Sequence, residues 1–275
     1  MLFGKRLMKD VRDAGVEPGA LCFWWLGQMG FIVKTRTAVL AIDLYVSPGA
    51  RRLVPPLLKP GELCGVDYVL GTHDHDDHID CGAWPGFAAA SSGAKFVVPA
   101  MFRDKLPKRL GIPGERFVAL DEGIAYRDEA RGIAFSAIAS AHEFLDRDPG
   151  SGFHPSLGYL IETDGLRVYH AGDSLKYDGL EKKLSDAGPI DLLIAPINGR
   201  DGAKYRAGII GNMGFCEAVD LAGAVKPRLA VPGHYDMFAA NSEDPIKFVS
   251  FMEAKFPDQE FWIGGHGVKV ALPAR

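Results

Sequence analysis

The sequence predicts an α/β sandwich, two sheets packed face to face with helices outside. Three observations predict it. Short apolar or β-branched runs recur along the whole chain, the signature of strands. Glycine supplies 33 of 275 residues, against a usual ~7%, and the glycines punctuate those runs as turns do. Strands crowd the start of each half and helices follow them, a pattern that suits layered sheets rather than an alternating barrel.

In order, Leu21–Leu26, Gly30–Thr35 and Val39–Asp43 read as strands, each broken by glycine or polar residues. Within Leu21–Leu26, Trp24 and Trp25 are expected on opposite faces, because strand side chains alternate. Asp67–Thr72 is a further strand that ends directly in a histidine cluster, and Lys95–Val98 is a short buried one. Met101–Leu110 reads as a helix closed by Gly111 and Pro113; Ile124–Arg127 and Gly132–Ser140 are again strands. Leu157–Thr163 and Leu166–His170 flank Asp164-Gly165, a two-residue hairpin signal. Leu175–Ala187 reads as a helix and Asp191–Pro196 as a strand. Asn212 is expected to cap a helix over Met213–Val225, with Met213, Phe215 and Val219 in the core. Leu229–Val231 is a strand, Pro245–Phe256 a helix, and Phe261–Ile263 and Val268–Leu272 close the chain as strands.

Hydrophobic residues make up 47% and charged residues 24%, which excludes a disordered chain. A chain of 275 residues at roughly 150 per domain gives one or two domains, and sandwich folds of about 200–250 residues often form one; we read residues 1–275 as a single domain. The charge is −4, from 31 basic and 35 acidic residues. The basic spots Arg51-Arg52 and Lys182-Lys183 form no run, so a nucleic-acid partner is not expected. The start scatters charges through MLFGKRLMKDVRD, unlike a secretory signal, and no apolar stretch approaches the ~20 residues of a membrane span. Leu2–Val11 is too weakly basic to suggest a membrane-surface helix. The four cysteines form no C-x-x-C pair, which suits reduced thiols in the cytoplasm. No heptad or exposed stripe sets an oligomeric state, so a homo-oligomer stays open.

The strongest chemical signal is Thr72-His73-Asp74-His75-Asp76-Asp77-His78. Imidazole and carboxylate together suit zinc, manganese or iron, and the segment has no apolar position that would place it in a core. On an extended chain His73 and His75 point the same way. If the chain then turns into a helix, Asp77 and His78 address a second position, so one segment serves two ions. His142, Asp173 and His234 each follow an expected strand and are candidate further ligands; alone, each reads as well as a surface or capping residue.

These residues bring a family into view. The H-x-H-x-D-H segment, a later His, then Gly172-Asp173-Ser174 and Pro232-Gly233-His234 resemble the metallo-β-lactamase superfamily in order and spacing. Trp24-Trp25-Leu26-Gly27, Thr72–Asp80, Tyr169–Ser174 and His234-Tyr235-Asp236 are similar to its L-ascorbate-6-phosphate lactonase-like branch, over about residues 20–272. The resemblance implies the αβ/βα four-layer sandwich, two mixed sheets with helices outside. It implies that His73, His75 and His142 hold one divalent ion, that Asp77, His78 and His234 hold a second, and that Asp173 bridges. The ions would be zinc or manganese, with iron compatible. It further implies a hydrolase acting on a small molecule, in which a hydroxide bridging the ions opens a sugar-acid lactone, phosphorylated or not, and Asp77 passes a proton to the leaving alkoxide. A phosphodiesterase of the same fold and a metal-binding sensor without turnover are the alternatives. This chain is shorter than those lactonases before the Trp-Trp-Leu-Gly strand and after the first strands, so its pocket need not be theirs.

Asp43 is expected to orient a ligand histidine by accepting its second N–H. His170 alternates with a buried strand and reads as a satisfied core or supporting histidine. His154 reads as an exposed loop residue. His266, between glycines, reads equally as a pocket or loop residue. Asn198, Arg200, Lys204, Arg206, Arg51 and Arg52 are candidate anion contacts, with a solvated loop as the plainer reading.

Overall fold

The computed structural model describes all residues, Met1–Arg275. Its helices are α1 (Gly4–Asp13), α2 (Trp84–Ala90), α3 (Lys105–Leu110), α4 (Leu180–Asp186), α5 (Gly202–Arg206), α6 (Phe215–Val225) and α7 (Pro245–Lys255). Its strands are β1 (Leu21–Gly27), β2 (Gly30–Lys34), β3 (Val39–Ile42), β4 (Tyr68–Leu70), β5 (Lys95–Pro99), β6 (Phe117–Leu120), β7 (Tyr126–Asp128), β8 (Ile133–Ala139), β9 (Leu157–Thr163), β10 (Leu166–His170), β11 (Leu192–Pro196), β12 (Leu229–Gly233) and β13 (Lys269–Leu272).

Seven strands form one sheet in the order β13-β1-β2-β3-β4-β5-β6, and six form the other in the order β12-β11-β10-β9-β8-β7. Both are mixed. β13 to β3 pair antiparallel and β3 to β6 parallel. β12, β11 and β10 pair parallel, and β10 to β7 antiparallel. The two-sheet α/β sandwich is the predicted one.

The pleat of β1 sorts its side chains into two layers. Leu21, Phe23 and Trp25 join the core formed by both sheets with α4, α6 and α7. Cys22, Trp24 and Leu26 join a second core beneath α1, α2 and α3. The tryptophans therefore face opposite ways, as the alternation requires. Ligands of open α/β sheets gather where parallel strands end. Here β3, β4, β10, β11 and β12 deliver Asp43, His73, Asp173, Asn198 and His234 one to three residues past their C-terminal ends.

Several elements differ from expectation. α6 starts at Phe215, with Gly214 at its N-cap and the Glu217 carboxylate accepting from the Gly214 N–H at 2.9 Å. Asn212 is no cap; its side chain is taken by the site. The helix read over Leu175–Ala187 starts only at Leu180, because Gly179 lies in the left-handed region at φ +95°. Met101–Leu110 divides into a single turn, Ala100–Phe102, and α3, which leaves Pro107 in a first turn, where its missing N–H costs nothing. Phe261–Ile263 contributes one bridge to Ala230 rather than a strand. α1, α2, α5 and β6 were not expected. In α1 the apolar face is only Leu7, Met8 and Val11, hidden among charges. No helix is long and apolar enough to cross a membrane.

Candidate metal centre

The loop after β4 changes direction within a few residues. His78 and Ile79 N–H groups both donate to the His75 carbonyl, at 3.0 and 2.8 Å, and this turn throws Asp77 and His78 away from the side that His73 and His75 face. Ile79 anchors the turn in the core. Gly71 is needed beneath it, since a Cβ there would collide with Ile79 and crowd Trp84. From the other sheet, Gly172 adopts φ +60° with the Leu157 carbonyl 2.9 Å and Thr72 Cβ 2.8 Å from where its own Cβ would stand. Only glycine permits that approach, and it sets Asp173 against the loop.

Three imidazole nitrogens converge at one position. His73 Nε2 lies 2.9 Å from His75 Nδ1, which lies 3.3 Å from His142 Nε2. A second position is mixed. His78 Nε2 is 3.8 Å from Asp77 Oδ1, and His234 Nε2 is 3.9 Å from Asp77 Oδ2. Asp173 stands between, with Oδ1 3.3 Å from His78 Nε2 and Oδ2 3.1 Å from His234 Nε2. His73, His78 and Asp173 also group within 4.8 Å. All seven residues expected at the site thus come together.

These residues suit a cation. His78 Nδ1 lies 2.6 Å from Asp43 Oδ2, which fixes the proton there and turns a lone pair of Nε2 inward. His78 Nε2, Asp173 Oδ1 and His234 Nε2 are buried without hydrogen-bond partners. Buried lone pairs facing one another are costly unless a proton or a cation lies between them. The electrostatics agree. Burial lowers the pKa of His73 and of His142. Burial would lower His78 and His234 too, but Asp173, helped by Asp43 and Asp77 at His78 and by Asp77 at His234, raises both. Burial would raise Asp173; His234 and His78 hold it well below the usual carboxylate range.

The supporting contacts are specific. Asp43 accepts from the Thr72 N–H (2.9 Å) and hydroxyl (2.7 Å) as well as from His78. His142 Nδ1 meets Asn212 Oδ1 at 3.0 Å; Asn212 donates to Asn198 (3.2 Å) and Asn198 to Asn241 (2.8 Å). Gln28 Nε2 lies 3.3 Å from Asp77 Oδ2 and 3.4 Å from His234 Nδ1. Asp80 accepts from the Val46 and Ser47 N–H groups and the Ser47 hydroxyl, pinning the loop after β3. Gln28 and Asp80 are not singled out by sequence, and Asn212 reads there as a helix cap rather than as part of the site. A polar residue between two glycines in a buried run was the available signal for Gln28. Of the non-glycine residues at positive φ, Gln28, Asp43, Glu143, His234 and Asp236 all adjoin the centre; such strain gathers at functional sites.

The remaining candidates lie apart from the convergent nitrogens. His170 is buried, with Nε2 donating to the Met29 carbonyl at 2.8 Å and Nδ1 accepting from Gly172 N–H at 3.2 Å, a satisfied structural histidine. Arg200 forms a fork with Glu217 at 2.7 and 2.9 Å, and Asn198 is enclosed in the amide chain, so neither is a free anion contact. His154 is not an exposed loop residue: it is buried against Asp121 at 2.7 Å, because the loop folds back onto β6. His266 is buried against Trp25, ring centroids 4.2 Å apart. Asp76 and Asp77 border a cleft of about 800 Å³.

The family model described as a beta-lactamase superfamily domain matches residues 41–235. A UPF0173 metal-dependent hydrolase of Thermococcus onnurineus is 32% identical over 190 residues, covering 69% of this chain and 75% of the relative. A probable L-ascorbate-6-phosphate lactonase of Escherichia fergusonii is 24% identical, covering 92% of this chain and 80% of the relative. Among solved structures, the metallo hydrolase Igni18 of Ignicoccus hospitalis has the same fold, with a TM-score of 0.72 at 20% identity over 93% of this chain and 100% of that one. The chain belongs to the beta-lactamase superfamily and, within it, to the metal-dependent hydrolases.

Proposed function

We propose that residues 1–275 act as one hydrolase domain that opens an ester or lactone of a small molecule. His73, His75 and His142 would hold one divalent ion, Asp77, His78 and His234 a second, and Asp173 would serve both. The observation that carries this reading is the set of buried, unpartnered lone pairs on His78, Asp173 and His234, which only a proton or a cation can reconcile. Zinc or manganese suits the all-His/Asp ligand set, and iron is compatible. Such ions, when bound, supply Lewis acidity toward the carbonyl and a water acidic enough to attack near neutral pH.

The chain's own residues divide the remaining work. Asp43 fixes the tautomer and ring plane of His78, and the Asn212–Asn198–Asn241 chain does so for His142. Asp77 is half-buried at the cleft edge, so its carboxylate is placed to carry a proton to the departing alkoxide. Gln28 steadies Asp77 from behind. The lactonase name of the E. fergusonii relative makes a lactone the first substrate class to try, and the four free cysteines suit a reducing compartment.

The test is to count zinc, manganese and iron per chain on the purified protein and assay the same sample with sugar lactones, alkyl lactones and bis(p-nitrophenyl) phosphate. Two ions with lactone opening, lost in Asp77→Ala and His78→Ala, supports the proposal. Phosphodiester cleavage alone would replace the reaction and keep the centre; no metal after reconstitution would sink both.

A further inference from the structure

The cleft beside Asp77 has an apolar wall and almost no free positive charge. Tyr45, Leu53, Ile209 and Phe238 line it together with Asp77. The Tyr45 and Phe238 ring centroids are 6.1 Å apart, and Leu53 is 63% exposed. Exposed apolar side chains that converge on a concave surface next to polar, chemically active groups are the usual make-up of a small-molecule site.

A phosphoryl group would need a guanidinium fork or several donors. Arg51 is the one cation that lines the cleft, and Asp76 and Asp77 line it too. Arg52 is turned into the protein: it donates to the Tyr45 carbonyl at 3.1 Å, the Ser47 carbonyl at 3.2 Å and the Val54 carbonyl at 3.0 Å, and lies over the Tyr45 ring. Its remaining nitrogen is enclosed. Arg200 is committed to Glu217, and Lys204 to the carbonyls of Asn198 and Ser242. Apart from Arg51, the cations Arg52, Arg200 and Lys204 therefore hold the loops of the cleft rather than a ligand, and Arg51 faces Asp76 and Asp77 across the same lining.

We infer that this cleft receives an uncharged alkyl or acyl chain, so that the enzyme takes lactones or esters with an apolar substituent in preference to phosphorylated sugar lactones. The inference rests on the hydrolase reading above and narrows its substrate. Each methylene that enters the cleft should strengthen binding about fourfold.

Straight-chain 2-ketones of increasing length, which cannot be hydrolysed, are titrated calorimetrically into the metal-loaded protein, and γ-lactones of matching length are assayed beside a phosphorylated sugar lactone. The expected result is a Kd that falls about fourfold per methylene until the cleft is full, with kcat/KM of the lactones rising in step. Leu53→Asp, at an exposed position that does not threaten folding, should raise the Kd of the longest ketone on the order of tenfold and leave the shortest unchanged; Ile209→Asp should do the same, with melting curves checking the fold of each. A Kd independent of chain length, or a phosphorylated lactone that outruns the alkyl lactones, overturns the inference. Length-dependent ketone binding without lactone or ester opening would remove the lactone-and-ester reading and leave the cleft's preference in place; lactone opening with a flat Kd series would do the reverse.

Discussion

The two halves of the centre are served by one loop yet differ in charge. The first is walled by three imidazoles, His73, His75 and His142. The second adds the carboxylates of Asp77 and Asp173 to His78 and His234. A divalent ion held by the first set would keep most of its charge uncompensated by the imidazoles, whereas one held by the second set would meet carboxylates directly. The same side-chain type therefore experiences opposite fields: burial lowers His73 and His142, while carboxylates overcome burial at His78 and His234. On the proposed reading the difference would give the halves different tasks: an ion held by the imidazoles would be the stronger Lewis acid, and the mixed pocket would handle protons.

The sharpest way to break this comparison is at the residue shared by both. Asp173→Asn should lower the metal count from two per chain to one or fewer and remove hydrolysis, whereas His142→Ala should spare the ion of the mixed pocket. Metal analysis after dialysis reads both variants; an Asp173→Asn protein that keeps two ions would show that the halves are independent. Next in size, Asp77→Asn should lower kcat by roughly 10²–10⁴, the usual cost of losing an acid–base group. The loss should be smaller for substrates with a good leaving group, because their alkoxide needs no proton. An equal loss for both leaving groups would make Asp77 a ligand only.

The unequal legibility of the halves has a physical cause. The candidate ligands His73, His75, Asp77 and His78 lie on one loop, so the sequence shows them side by side. The alternation of an extended chain followed by a turn separates them into two sets, as the His75 carbonyl turn realises. His142, Asp173 and His234 come one at a time from the ends of β8, β10 and β12, and no local pattern distinguishes them from capping or surface residues. They became readable only through the order of motifs that resembles a family. Asn212 shows the limit most plainly. Its place ahead of an apolar run suggests a helix cap, but the tertiary contact with His142 claims its side chain and the helix starts later. Gly179 truncates α4 by its backbone angle, which composition does not reveal. Burial of His154 likewise depends on a loop folding onto Asp121, a distant contact.

Histidines outside the centre sharpen the comparison. His266 lies against Trp25 with no hydrogen-bond partner on Nε2, and the nearest carboxylate oxygen, Asp236 Oδ2, is 4.0 Å away. Burial, with the Arg52 charge in support, pushes its pKa down to about 4. The unfolded chain should titrate near ~6.5, so the unfolded state binds the proton first. Stability is full above that value and falls as the pH drops toward 4, by roughly 3 kcal/mol at most. His266→Phe keeps a ring on Trp25 and removes the titration. Urea unfolding between pH 7 and pH 4 should then show a flatter acid limb; an unchanged limb would place the loss elsewhere.

The smallest expected effects fall on the residues that aim the ligands, and they test whether the halves are tuned separately. Asn212→Ala removes the acceptor at His142 Nδ1 and frees that ring to turn, while Asp43→Asn weakens the hold on His78 Nδ1. Loss of such a support usually costs about 10–100-fold in metal affinity or activity. Each variant should therefore weaken one ion and leave the other, so a chelator titration that is biphasic in both proteins should show a different phase shifted in each. Asp43→Asn should be the more severe, because Asp43 also holds the Thr72 N–H and hydroxyl and so anchors the start of the ligand loop, whereas Asn212 acts on His142 through a single contact at 3.0 Å. If both substitutions shift both phases together, the bridging Asp173 couples the pockets tightly enough that their chemical difference does not separate their affinities.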